Sequence, residues 1–554
     1  MMSANAWVPA DGLTLEPNAL RAAKEEVCCL ALTAGPGAGK TEMLAQRADF
    51  LLRTGSCRYP RRILAISFKV DASRNLKERV VRRCGVDLAS RFDSYTFHAF
   101  AKRIIDRFRP ALTGKDALDP GYKLGDRRVE RTQIEFADLV PLAVKILNTC
   151  AMARHAIRQT YSDVFLDEFQ DCTADQYELV KIAFQGTDIR LTAVGDTKQK
   201  IMGWAGALDG IFATFSTDFK AVPLNMYRNF RSKSKLLRLQ NEIIRVLDAS
   251  SVMPEEQLVG NEGEVFGWRF QDSQKEADYL ADLIATWVRE ELVPLSEIAV
   301  LVSKQLDLYA DRLMAALEAR GVPYRNEHQL QDLTAEPAAR LVVDYLSCLY
   351  GEREPKAWTR LTNQLVPFGD DDIQSGARRD VLKVLKQQRE KVAIASIFGD
   401  RYADWWRSVL AFLTHVGKET LVALSPDYES QERLREVIRS TKQRIEELLR
   451  VEPNLPKALQ RLADDQAVRI LTIHKSKGLE FDSVIMLAVE EEIFFGDQGA
   501  NRCAFFVGVS RAKRRLVLTH ADQRERPAGY TKRWDVARKP QSEYFGYVMP
   551  FVGT

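Results

Sequence analysis

The chain has 554 residues, 46% of them apolar and 28% charged, with a formal net charge of +4. That length exceeds what one hydrophobic core supports and predicts about three or four domains. So even a charge balance excludes a polyanion-binding surface spread over the whole molecule, and any nucleic-acid contact has to be local.

Eight scattered cysteines without a CxxC pair point to neither a zinc site nor an iron–sulfur cluster, and they fit a reducing compartment. The opening stretch MMSANAWVPADG lacks the basic-then-apolar pattern of a secretion signal. No apolar run approaches the ~20 residues that span a bilayer. The expected location is the cytoplasm, with no membrane attachment.

In chain order, the apolar run Cys28 to Leu32 reads as a buried strand. It breaks into Ala34-Gly35-Pro36-Gly37-Ala38-Gly39, and Lys40-Thr41 then opens a helix with Leu44, Ala48 and Leu51 on one side. Strand, glycine loop and helix together form a phosphate cradle. Backbone N–H groups and the positive end of the helix dipole wrap an anion, and glycines let the backbone come close. Lys40 is placed to neutralise β- and γ-phosphates, and the Thr41 hydroxyl to ligate Mg²⁺. The usual pattern starts with Gly; here that place is Ala34.

A second strand, Arg62 to Phe68, leads to a helix carrying Leu76 and Val80. Ser94 to Phe100 then runs into a basic helix with Lys102, Arg103 and Arg107. Val164-Phe165-Leu166-Asp167-Glu168-Phe169-Gln170-Asp171 is an apolar strand ending in acids. Alone it reads as a strand capped by solvated carboxylates. Downstream of a phosphate cradle it completes a hydrolysis site, with Asp167 holding Mg²⁺ and Glu168 deprotonating the attacking water. A further strand, Leu191 to Val194, ends at Gly195-Asp196-Thr197-Lys198-Gln199, from which Gln199 can reach a γ-phosphate. Parallel strands whose C-terminal ends all carry polar groups describe one α/β sheet with its site along that edge. Trp204, between Gly203 and Gly206, fits either exposed stacking or ordinary burial.

A second α/β unit begins with a strand at Gly263 to Phe270 and a helix at Glu276 to Glu291. It continues with a strand at Ile298 to Val302 and a helix at Leu308 to Arg320, stopped by Gly321. Its sheet resumes at Val468 to Ile473. Between about 336 and 464 lies a helix-rich insertion, clearest at Gln431 to Arg450. The basic run Arg378-Arg379 to Lys391 reads more readily as a solvated helix face than as a phosphate contact.

Taken in order, these segments resemble superfamily 1 helicases of the UvrD/Rep type. Ala34 to Thr41 resembles that family's P-loop, which often begins with Ala. Ile66-Ser67-Phe68 with Ala72, Thr96-Phe97-His98, and Asp167-Glu168-Phe169-Gln170-Asp171 follow its next motifs. So do Gly195-Asp196-x-x-Gln199-x-Ile201-x-x-Trp204-x-Gly206-Ala207 and Asn229-Phe230-Arg231-Ser232. Thr472-x-His474-x-Ser476-Lys477-Gly478-Leu479-Glu480-Phe481 and Phe506 to Lys513 complete the series.

The resemblance implies two RecA-like P-loop NTPase domains, parallel sheets flanked by helices, with ATP and Mg²⁺ in the cleft between them and mainly helical insertions. The first motor domain is expected at 1–98 and 159–225 around a short helical insertion at 99–158. The second is expected at 226–335 and 465–554 around a helical insertion at 336–464. Arg231 and Arg511 are implied as arginine fingers and Glu480 as a nucleotide contact. Phe68, Thr96, Phe97, His98, Trp204, Thr472 and His474 are implied to line a track for single-stranded DNA. The implied activity is ATP-driven movement on single-stranded DNA, 3′ to 5′, with unwinding at single-strand/duplex junctions, in repair, recombination or anti-phage defence.

Departures are visible. The family's adenine-reading Gln is absent from Leu15-Glu16-Pro17-Asn18-Ala19-Leu20, with Asn18 a partial substitute. Met202 and Ala205 replace a Tyr and an Arg that help hold DNA, and Lys69-Val70-Asp71 stands where Thr-Asn-Lys is usual. The ATPase set is intact and the DNA track thinned, so weaker unwinding than the family norm is expected. With only about 40 residues after Arg511, no nuclease activity is expected of the chain itself. Compact helicases of this kind also resemble those paired with a nuclease in two-gene defence systems such as Gabija. The rival expectation is therefore a DNA-sensing ATPase subunit that regulates a partner nuclease. A P-loop ATPase acting on something other than nucleic acid is a third reading, against which the Trp204 and His474 motifs argue.

Overall fold

The computed structural model describes residues 2–552 except 69, 126, 201–206, 327–335, 352–353, 366–370, 399–400, 423, 426–427, 429–430, 452, 464–466 and 528. Its N-terminal strands are β1 (Leu30–Ala34), β2 (Arg62–Ser67), β3 (Phe92–Thr96), β4 (Leu118–Leu124), β5 (Arg131–Ile134), β6 (Tyr161–Leu166), β7 (Arg190–Gly195) and β8 (Val222–Met226). Six of them form a parallel sheet in the order β3-β2-β6-β7-β1-β8, and β4 pairs with β5 separately. The central strands are buried along nearly their whole length, which is why they read as unbroken apolar runs and not as alternating ones.

Helices cover both faces of this sheet. Lys40–Thr54 buries Met43, Leu44, Ala48 and Leu51 on one side, while Phe97–Phe108 and Leu139–Thr149 bury Phe100, Ile104, Leu142 and Ile146 on the other.

The second sheet joins β9 (Glu264–Asp272), β10 (Ile298–Val302), β11 (Tyr324–Asn326), β12 (Val468–Thr472), β13 (Phe481–Met486) and β14 (Ala512–Gln523). All are parallel, in the order β11-β12-β10-β13-β14-β9. Because every strand in each sheet runs the same way, the loops after the strands gather on one edge per sheet. That edge is where an open α/β sheet builds its sites.

Between β11 and β12 the chain leaves the sheet for a helical body with its own core. There Pro337–Tyr350 packs against Trp405–Val416 and Gln431–Val451, and Tyr345 stacks on Phe412 at 4.0 Å. In the helix Asp371–Phe398, Val381 and Leu385 turn inward while Arg378, Lys383, Lys386 and Lys391 face solvent. The basic run is a solvated amphipathic face.

Several local expectations are corrected. β1 starts at Leu30 and not Cys28, because the Glu25 carboxylate accepts the Val27 and Cys28 N–H groups and holds them in a turn. The helix expected from Leu308 to Arg320 is two, Leu306–Tyr309 and Asp311–Ala319, broken at Ala310. Gly321 does take the left-handed conformation, with φ +64°. The 99–158 segment is not purely helical, since it carries the β4/β5 pair. Strands β3, β8, β11, β13 and β14 had no separate expectation. β13 and β14 lie directly after motif residues whose polar character masked the strands.

Candidate functional site

The cradle forms at the C-terminal end of β1. Gly37 and Gly39 take positive φ, +71° and +78°, a conformation costly for any residue with a Cβ. Lys40 Nζ lies over the loop and donates to the carbonyls of Ala34 at 3.3 Å and Gly35 at 3.4 Å. Gly37 is also a point of close approach to the second half of the chain. Its carbonyl accepts the Phe230 N–H at 3.0 Å, and a Cβ added there would sit 2.7 Å from Arg231 Cβ.

At the ends of β6 and β7 the acidic and amide groups interlock. Asp167 Oδ1 accepts the Glu168 N–H at 3.0 Å, and Glu168 itself is in the left-handed region with φ 52°. Gln170 donates to Glu168 at 2.6 Å and accepts from the Asp196 N–H at 2.9 Å. Burial, reinforced by the neighbouring Glu168 carboxylate, pushes the Asp167 pKa up against the pull of Lys40. Burial also opposes ionisation of Glu168, but Lys40 and Lys477 outweigh it and hold that carboxyl below its ordinary value. The pair thus sets two carboxylates side by side in a desolvated pocket with Lys40 as their shared counter-charge. That is the electrostatic setting a divalent cation fits.

Opposite this edge stand Arg511, just before β14, and Arg231, in the segment that leads from β8 to the second half of the chain. Arg511 is 1% exposed. It spends its planar fork on Val507 O, Leu479 O, Ser510 Oγ and, at 3.0 Å, Gln199 Oε1. Burial, then the adjacent Arg231, lower its pKa to about 9, against Glu168 and Asp196. It stays charged at neutral pH. Arg231 donates to Glu480 at 2.7 Å and to the Ser510 carbonyl at 3.2 Å. Burial resists ionisation of Glu480, yet Arg231 and Lys513 hold its carboxyl below the ordinary range. Gln199 also donates to Asp196 at 2.8 Å. Cradle, acids, glutamine and both arginines thus converge on one cleft between the sheets.

Two contributors had no role in the sequence reading. Lys477 forms an ion pair with Asp171 at 2.7 Å and donates to the Gln199 carbonyl at 2.9 Å, tying the two sheets together. Lys198 pairs with buried Asp196 at 3.1 Å. Both lie inside recognised segments, but the Lys477 pairing spans 306 positions and leaves no local spacing signal. Asn18 donates to the Asn225 carbonyl at 2.7 Å, and Glu16 accepts the Tyr227 and Arg228 N–H groups. The window expected to read a base is therefore engaged with the connecting backbone.

The expected DNA residues separate into groups. Phe68 is half-buried, with its ring edge on Phe97 at 5.4 Å. Phe97 is a correction: it is 2% exposed and lies in the core, so it supports Phe68 from beneath. The Thr96 hydroxyl caps the helix Phe97–Phe108 by accepting the Ala99 N–H. His98 packs on Phe136 at 4.4 Å, and burial lowers its pKa to about 4. Thr96, His98, Lys102, Arg103 and Phe136 line a groove of about 530 Å³. On the second sheet Thr472 is half-buried and His474 exposed. Trp204, with Met202 and Ala205, lies outside the described residues, as does Lys69; the side chains of Val70 and Asp71 are likewise not described.

With this geometry in place, the comparisons decide the family. The profile described as UvrD/REP helicase N-terminal domain matches residues 15–126 and 122–220, and that described as UvrD-like helicase C-terminal domain matches 224–375 and 379–523. The chain belongs to the UvrD/Rep helicase family. It is 22% identical to "ATP-dependent DNA helicase PcrA" of Leuconostoc citreum over 89% of this chain and 80% of that relative. It is 24% identical to "DNA helicase II" of Escherichia coli K12, over 89% and 82%. It is also 24% identical to "ATP-dependent DNA helicase PcrA" of Bacillus subtilis, over 89% and 81%. The two parallel sheets flanked by helices are the architecture expected of this UvrD/Rep-family chain. Among the described residues, no single helix is long and apolar enough to cross a membrane.

Proposed function

We infer that this UvrD/Rep-family chain hydrolyses ATP to move along single-stranded DNA and open duplexes at junctions. The observation that carries the reading is the Arg511–Gln199 bond at 3.0 Å, which brings a buried cation of the second sheet to the hydrolytic edge of the first. In this reading Lys40 and the loop residues Ala34, Gly35, Gly37, Ala38 and Gly39 hold the triphosphate. Thr41 and Asp167 are the residues that would hold Mg²⁺, which when bound neutralises phosphate charge. Glu168, kept ionised, orients the attacking water and takes its proton, and Gln199 reaches toward the γ-phosphate. Arg231 and Arg511 stabilise charge developing on the transferred phosphoryl group, and Glu480 fixes Arg231 beside the nucleotide.

Because Arg511 comes from the second sheet and Arg231 is bonded to Glu480 and Ser510 beside it, nucleotide occupancy favours a closed cleft and hydrolysis releases it. That cycle alternates the grip of Phe68, Thr96 and His98 on one sheet with that of Thr472 and His474 on the other. Movement is 3′ to 5′, in repair, recombination or defence.

The substitutions at Lys69, Met202 and Ala205 favour a second reading, a DNA-sensing ATPase that regulates a partner nuclease. One experiment separates them: ATP turnover with and without single-stranded DNA, run beside unwinding of a 3′-tailed duplex. Stimulation with unwinding supports the helicase. Stimulation without unwinding supports the sensor. Absence of stimulation overturns both.

A further inference from the structure

We propose that Lys198 is a positioning residue for hydrolysis: its ammonium, paired with buried Asp196, holds the Gln199 carboxamide with its oxygen turned to Arg511. The inference rests on the ATP-hydrolysis reading above and adds a residue to which that reading gives no task.

Lys198 lies in the turn Thr197–Gln199, just after β7, and that turn packs against the helix Gln498–Val509 from the second half of the chain. Lysines are seldom fully buried unless paired. This side chain is 3% exposed and that of Asp196 beside it 0%. The ammonium stands 3.1 Å from Asp196 Oδ1, which also accepts the Lys198 N–H at 3.1 Å. The other carboxylate oxygen accepts from Gln199 Nε2 at 2.8 Å.

A carboxamide has one donor end and one acceptor end. Ionised Asp196 can only accept, so it takes the NH₂ end of Gln199 and leaves the oxygen for the Arg511 guanidinium at 3.0 Å. The charge on Asp196 therefore decides which way the carboxamide faces. Burial opposes that charge, but Lys198, and after it Lys40, overcome burial and hold the carboxyl below its ordinary range. In the proposed site Lys40 is committed to the triphosphate, which leaves Lys198 as the counter-ion of Asp196. Without Lys198 the buried carboxyl is drawn towards its protonated form. A protonated carboxyl donates, attracts the Gln199 oxygen and turns the NH₂ end on Arg511, donor against donor. The backbone of Asp196 extends the connection, since its N–H donates to Gln170 Oε1 at 2.9 Å and Gln170 Nε2 donates to Glu168 at 2.6 Å. Lys198 thus braces the midpoint of a hydrogen-bonded line from Glu168 through Gln170, Asp196 and Gln199 to Arg511.

The test is single-turnover ATP hydrolysis with Mg²⁺ and single-stranded DNA, beside a fluorescent-nucleotide titration. The proteins are the wild-type chain, Lys198→Met, Lys198→Arg, Gln199→Ala and the double variant Lys198→Met/Gln199→Ala. The rate constant reports only molecules that have bound nucleotide, so a smaller folded fraction does not imitate a slower step. Lys198→Met should slow hydrolysis about tenfold with nucleotide affinity within about twofold, and Lys198→Arg, which keeps the charge, should recover most of the rate. In the Gln199→Ala background Lys198→Met should cost nothing further, because its route to the reaction is gone. An equal loss in both backgrounds makes Lys198 merely structural and overturns the proposal, as does an unchanged rate in Lys198→Met. If the Met variant does not fold, Lys198→Gln carries the same comparison. Wild type that hydrolyses no ATP overturns the proposal together with the ATPase reading.

Discussion

The Arg511 guanidinium donates to Gln199 Oε1 at 3.0 Å across the cleft, joining residues 312 positions apart. The same nitrogen also donates to Ser510 Oγ, and the other two are fixed on the Val507 and Leu479 carbonyls, so the group is positioned before any substrate arrives. Arg511→Ala should lower turnover by about 10³–10⁵ and retain nucleotide binding. Arg511→Lys should restore little, because one ammonium cannot reproduce a planar fork. Single-turnover hydrolysis beside a fluorescent-nucleotide titration checks this, and lost binding would contradict the finger role.

Glu168 and Lys40 should fail differently. Glu168→Gln keeps shape and removes the base, so hydrolysis stops while nucleotide binding persists. Lys40→Ala removes the cation that faces the phosphates and should weaken binding as well. Substantial residual turnover in either purified variant would dismiss the site assignment.

Gly37→Ala probes the closed cleft. The added Cβ meets Arg231 Cβ at 2.7 Å and Asn229 Oδ1 closer still, at a φ of +71°. The 229–231 segment would have to withdraw, carrying Arg231 with it. Turnover should fall by at least about a hundredfold, an effect of ~3 kcal/mol on the barrier. Near-normal turnover would mean the contact is incidental.

Asp171 and Lys477 form a largely buried pair between the sheets at 2.7 Å. A double-mutant cycle with Asp171→Asn and Lys477→Met should give a coupling of about 0.5–3 kcal/mol in denaturant unfolding. Additive effects would show that the pair does not hold the sheets together.

His98 sets a pH dependence of stability. Burial lowers its folded pKa from 6.5 to about 4, so between those values the unfolded chain binds the extra proton. Its contribution is fully present above about pH 6.5 and is lost as pH falls towards 4, at most ~3 kcal/mol. The unfolding midpoint of His98→Leu should therefore fall less steeply over that window than that of wild type. Parallel pH profiles would refute the assignment.

Ala34 to Thr41 after one apolar strand, Asp167-Glu168 after another and Gln199 after a third were enough to suggest a phosphate cradle with a hydrolytic edge, whereas Arg231 and Arg511 entered only through the family resemblance. Cradle chemistry is local: a strand, a glycine turn and a helix N-terminus are specified by consecutive residues. The two parallel sheets were legible for the same reason wherever a strand was a plain apolar run. Tertiary structure decided what depends on long-range pairing. It brought Lys477 to Asp171, tied up Asn18 and Glu16 on the 225–228 backbone, buried Phe97 and left Phe495 exposed. Sequence could not distinguish Phe494 from Phe495, since both are phenylalanines after an apolar strand. Only the packing of Tyr544 on one, and of Lys304 and Asn501 around the other, determined which ring faces solvent.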